Sequence, residues 1–72
     1  MITNKTAMEV QNIVRAGGSV EVDGGRFTAM ELQNIARSLL PGAFLKVHNS
    51  DRYTAMELQN TARAKPGQVV LG

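Results

Sequence analysis

"TAMELQN" stands at residues 28–34 and again, letter for letter, at 54–60, and "TAMEVQN" at 6–12 differs in one position. Thr-x-x-Glu ahead of an apolar-periodic run is the pattern of a reciprocal helix N-cap. The Thr hydroxyl accepts from the backbone N–H three residues on, and the Glu carboxylate accepts from the Thr N–H. Thr6/Glu9, Thr28/Glu31 and Thr54/Glu57 all fit. Each Glu also falls where the positive end of the helix dipole favours a carboxylate. Three such matches in similar surroundings fix three helix starts.

Stop signals follow at similar distances: Gly17-Gly18, Pro41-Gly42 and Pro66-Gly67. Glycine past a helix end adopts the left-handed turn, and proline cannot continue the helix. The expected helices run over 7–16, 29–40 and 55–65, with Arg15, Arg37 and Arg63 near their C-terminal ends. Phe27 and Tyr53 precede two of the caps, placed to pack on Leu32 and Leu58 as hydrophobic staples. Lys5 holds that position in the first copy.

Short alternating stretches separate the helices. "SVEVD" (19–23) puts Val20 and Val22 on one face and Glu21 on the other, and "FLKVH" (44–48) does the same with Leu45 and Val47 against Lys46. "QVVLG" (68–72) offers Val69 and Leu71 inward and Val70 outward. Period-two alternation of β-branched residues reads as strand. Residues 1–4 are a candidate for a fourth, very short strand.

Strands joined through a helix must run parallel, and such crossovers are right-handed in nearly all proteins. A sheet covered on both faces would have strands apolar throughout. These alternate, so the helices belong on one face. The expected fold is α/β: a two-layer helix-strand repeat, three capped helices on one face of a small parallel sheet, short and solenoid-like. It forms a single domain over 1–72, in units of about 6–27, 28–53 and 54–72. Strands follow chain order, with Glu21 and Lys46 as cross-strand neighbours on the open face.

At 72 residues the chain buries only about 60% of what it exposes when unfolded, and its stability is marginal. With no Cys and one His, neither disulfides nor a zinc finger can compensate. Absence of Cys fits a reducing compartment, no apolar stretch approaches a membrane span, and "MITNKTAMEV" lacks secretory-signal features. The expectation is a cytoplasmic protein without membrane contact, metal or cofactor. A net charge of +2 without a Lys/Arg run is compatible with nucleic acid but fits a bland basic surface better.

Around each helix, at 100° per residue, the apolar positions cluster on one side. In the second copy these are Ala29, Leu32, Ile35, Ala36 and Leu39. Met, Asn and Arg gather opposite: Met8, Asn12 and Arg15, then Met30, Asn34 and Arg37, then Met56, Asn60 and Arg63. Gln11, Gln33 and Gln59 lie at the flank, facing neighbouring helices. Capping explains Thr and Glu, and burial explains Ala, Leu and Ile. Neither explains the ladder of nine, since Asn is a poor mid-helix residue.

Arg and Asn recognise carboxylates, phosphates or base edges, while Met adapts to irregular apolar partners. The expected function is non-catalytic binding of a protein partner through this face. Nucleic-acid binding through the same three arginines is the alternative, although Phe27, Phe44 and Tyr53 give few stacking platforms. A structural self-assembling unit is the third reading.

Catalysis lacks a constellation. His48 could stand near Asp23 at the strand ends with Asp51 in the next loop, a weak acid/base pair at the edge where α/β sheets place their sites. No nucleophile is set beside it. The open sheet face is expected to carry Ser19, Glu21, Phe44, Lys46, His48, Gln68 and Val70, with both sheet edges unprotected. Exposed edges invite pairing, and a homodimer or larger assembly is expected.

Overall fold

The computed structural model describes all of residues 1–72. Helices and strands alternate in chain order: α1 (Ala7–Arg15), β1 (Val20–Asp23), α2 (Ala29–Arg37), β2 (Leu45–His48), α3 (Ala55–Ala64) and β3 (Val69–Leu71). Two 3-10 turns, Gly24–Arg26 and Ser50–Arg52, precede α2 and α3.

All three N-caps form both halves of the reciprocal pair. The Thr6, Thr28 and Thr54 amides donate to Glu9, Glu31 and Glu57 at 2.8–2.9 Å. The Glu amides donate back to the Thr hydroxyls at 3.1–3.2 Å. Each cap satisfies donors that a helix start otherwise leaves unpaired, which is why one phrase can begin a helix three times.

The C-terminal ends differ. α1 closes in a double-bonded glycine cap: Gly17 donates to Val14 at 2.9 Å and Gly18 to Ile13 at 3.1 Å, with Gly17 at φ +106°. α2 stops at Arg37, three residues short of the expected 40. Ser38 and Leu39 instead make tighter bonds three residues back, to Ile35 and Ala36 at 3.1 Å. Leu39 is still buried, since this turn keeps it over the core. Pro-Gly then makes a type II turn after each of the last two helices. Ala43 donates to Leu40 and Gln68 to Lys65 at 3.0 Å, with Gly42 and Gly67 at φ +85° and +80°.

The three strands pair in parallel in the order β1-β2-β3. Val20, Leu45 and Val69 align, as do Glu21, Lys46 and Val70. The expected fourth strand is a single bridge, Ile2 beside Val22, with the Ile2 amide on the Glu21 carbonyl at 2.9 Å. Val20, Val22, Leu45 and Val47 turn inward and join Val10, Val14, Leu32, Ile35 and others in one cluster of 13 buried residues. Burying a Val, Leu or Ile side chain contributes about 1.5–3 kcal/mol, so this cluster is the main source of stability. Phe44 and Val70 point outward and are exposed.

Two inward expectations fail at the ends. Leu71 is 37% exposed and Val69 only half-buried, because no further helix or strand covers β3. Position seven after the cap is buried as Ile35 and Thr61 but 38% exposed as Ile13. That position faces the preceding helix, and α1 has none. Thr61 is tolerated inside because its hydroxyl donates to the Glu57 carbonyl at 3.0 Å.

The 3-10 turns join the units. β2 carries one extra residue after its last strand position, Asn49, in the left-handed conformation at φ 57°. Asn tolerates that region better than most residues. The Ser50 amide and hydroxyl then both reach the Gly72 carbonyl, at 3.0 and 2.9 Å. Arg52 donates to the carbonyls of Gly24 and Gly25 at 3.2 and 3.0 Å.

Candidate functional site: the Met-Asn-Arg helix face

Strands that run parallel and are each preceded by a helix force α1, α2 and α3 to point the same way. Their first turns carry Glu9, Glu31 and Glu57, and their last turns Arg15, Arg37 and Arg63. The remaining carboxylates are Glu21 on β1, Asp23 at its end and Asp51 in the turn before α3. The connectors after the helices, 16–19, 38–44 and 65–68, hold no Asp or Glu and add Lys65. One end of the helix layer is therefore basic without a carboxylate to offset it. No Lys or Arg forms an ion pair anywhere in the molecule; the one pair is His48 with Glu21.

Met8, Met30 and Met56 are 59%, 60% and 61% exposed. Near-equal exposure on three helices means that the three thioethers are presented alike. Arg15, Arg37 and Arg63 are exposed too; Asn12 is exposed, while Asn34 and Asn60 are half-buried.

Sequence left Asn without a structural purpose, and the structure supplies one. Arg37 donates to the Asn34 side-chain oxygen at 2.9 Å and Arg63 to that of Asn60 at 3.2 Å. Residues three apart on a helix are surface neighbours, so each amide orients the guanidinium one turn on. A guanidinium has five N–H donors, and most remain free. Arg15 makes no such bond to Asn12, so α1 carries the same letters without the brace.

The Gln flank behaves as expected at the first joint. Gln11 donates to the Ser38 hydroxyl at 3.2 Å and reaches the Asn34 carbonyl at 3.5 Å. At the second joint Ala64 replaces Ser38 in the corresponding place, and Gln33 makes no bond like that of Gln11. A cleft of about 360 Å³ lies at this joint, lined by Gln33, Arg37, Asn60, Arg63 and Ala64. Gln33 and Ala64 were not candidates on sequence grounds, although the Ser38/Ala64 difference between aligned copies was visible.

At the sheet, Glu21 and Lys46 are neighbours in register as expected. The Glu21 carboxylate instead bonds the diagonal His48 ring at 2.9 Å. That bond holds the Glu21 carboxyl below its ordinary value, with Lys46 adding a smaller effect. Asp23 sits opposite His48 in register, yet its carboxylate accepts from the Asn49 side chain at 3.1 Å and the Gly25 amide at 2.9 Å. These two bonds, the Asn49 one first, lower the Asp23 pKa. The anticipated Asp23–His48 pair is not formed, because each side chain has a nearer partner. Asp51 is exposed and contributes no bond.

Burial pushes the Tyr53 hydroxyl pKa up. That hydroxyl lies between the carbonyl oxygens of Gly24 and Phe27. Tyr53 is thus more than the expected staple, tying α3 to the turn before α2. No group of three or more His, Asp or Glu is arranged around a metal-sized site, and no helix is long and apolar enough to cross a membrane. No family model, curated protein or solved structure matches the chain.

Proposed function

We propose that this chain is a small non-catalytic binding module whose Met-Asn-Arg helix face contacts a protein partner. In this reading the units 6–27, 28–53 and 54–72 form a short solenoid-like array within one domain, and the array aligns three equivalent contact triplets. The carrying observation is the near-equal exposure of Met8, Met30 and Met56. Exposing a large flexible thioether three times gains nothing for folding, whereas Met suits an irregular apolar partner surface. The guanidiniums of Arg37 and Arg63, braced by Asn34 and Asn60, supply oriented polar contacts beside it. Arg and Met are both enriched at protein interfaces.

The test is site-specific photocrosslinking from Met30 and Met56, with Lys46 on the opposite layer as reference. One protein should be captured from both helix positions and not from the sheet position, and should then bind when purified. Capture from all three positions alike, or from none, overturns the reading.

The basic end of the helix layer favours a second reading, in which Arg15, Arg37 and Arg63 meet nucleic-acid phosphates. Three phosphate contacts would lose about tenfold or more in affinity over ordinary salt ranges. The bare flank of α3 and β3 favours a third, self-assembly into a homodimer or larger species.

A further inference from the structure

We propose that the cleft between α2 and α3 holds a carboxylate of an acidic partner segment, gripped by Arg37 and Arg63. This deepens the protein-binding reading above and rests on it. Ala64 lines the cleft at the place where, in the other helix joint, Ser38 accepts the Gln11 bond. Its polar lining is cationic or amide, from Gln33, Arg37, Asn60 and Arg63, with no acid among the lining residues. Each guanidinium is fixed by one bond to its own helix and keeps further N–H donors for a ligand. Such a pre-oriented fork matches an oxyanion at little further ordering cost.

A carboxylate fits better than a phosphate monoester. The cleft lies at the C-terminal ends of α2 and α3, where the helix dipoles place partial negative charge. That charge opposes a doubly charged phosphate more than a singly charged carboxylate. Apolar surface is also at hand: Met30 and Met56 lie seven residues before Arg37 and Arg63, about 10 Å along the helix. An acidic residue followed by an apolar one about three residues on in an extended strand would span that distance.

The test is a titration of labelled protein with hexaglutamate, hexaglutamine and a thymidine hexanucleotide at low salt, following arginine Nε–H and side-chain amide signals. Hexaglutamate should move Arg37, Arg63, Asn60 and Gln33 saturably, and Arg15 less. Arg37→Met and Arg63→Met should each weaken it about tenfold, and Lys46→Met less than twofold. These side chains are exposed, so the variants should fold. Equal shifts from hexaglutamine, equal weakening by Lys46→Met, or tighter binding of the hexanucleotide would each overturn the assignment. If crosslinking from Met30 captures a partner while hexaglutamate leaves Arg37 and Arg63 unmoved, the cleft assignment falls and the face reading stands. If hexaglutamate binds while no partner is captured, the face reading falls and the cleft remains a carboxylate site.

Discussion

Tyr53 is packed against Gly24 so closely that only glycine fits: a Cβ there would lie 3.0 Å from the Tyr53 ring. The same Cβ would also lie 2.9 Å from the His48 carbonyl oxygen and 3.1 Å from that of Asn49. Two of those three atoms are backbone and cannot swing aside. Gly24→Ala should therefore destabilise by about 1–3 kcal/mol, the usual cost of overpacking. Gly25→Ala, whose nearest neighbour is the Asp23 side chain at 3.3 Å, should stay within about 0.5 kcal/mol. Urea unfolding of the two variants separates these outcomes.

Tyr53→Phe removes the hydroxyl but keeps the ring in place. The Gly24 carbonyl retains Arg52 as a donor, whereas the Phe27 carbonyl loses the Tyr53 hydroxyl. A loss of about 1–2 kcal/mol is expected, read as a lower denaturant midpoint with unchanged slope. An unchanged midpoint would mean that the hydroxyl only decorates a packed ring.

Thr28→Ala and Thr54→Ala should each cost about 1 kcal/mol, the typical value of an N-cap. The two caps share no bonding partner, so the double variant should be additive within about 0.5 kcal/mol. Marked non-additivity in chemical unfolding would show that the helix starts depend on each other.

Acid should weaken the fold through Glu9 and Glu21, whose folded pKa values lie below the ordinary 4.5. For Glu9 the leading cause is the Thr6 amide, and for Glu21 the His48 ring. A carboxyl lowered on folding contributes stability above its unfolded pKa, and loses that contribution as pH falls through the folded value. Carboxyl NMR titration should find both below 4.5. His48→Ala should return Glu21 upward while leaving Glu9 alone.

Self-association is expected at the α3 and β3 flank, where Leu58 is half-buried and Leu71 exposed. β3 also offers an unpaired edge. Sedimentation at high micromolar concentration should show a dimer or larger species, and Leu71→Lys should shift it towards monomer. A clean monomer for the parent chain would remove the expectation.

Elements set by local chemistry were readable in advance. Thr and Glu three apart gave each helix start, Pro-Gly gave two turns, and apolar alternation gave the faces of β1 and β2. What escaped depends on which neighbour stands beside a residue. A helical wheel treats Ile13, Ile35 and Thr61 alike, but only the last two have a helix on that side. Glu21 had Lys46 opposite and His48 diagonal, and alternation alone could not rank them. The Arg-Phe and Arg-Tyr pairs ahead of two caps repeat in the sequence, yet the reach of Arg52 to Gly24 and Gly25 needs the register of two strands. In the candidate site, the nine residues were recoverable from the repeat. The cleft was not, because it depends on how α2 and α3 lie side by side.

The side-chain hydrogen bonds that tie one unit to the next span between 22 and 29 residues of chain. The entropy lost in closing a loop grows only with the logarithm of its length, so closing any of these joints costs nearly the same. With no joint much costlier to close than another, the order of assembly rests on which helix forms first, and each has a start signal of its own. Assembly should therefore run by more than one route.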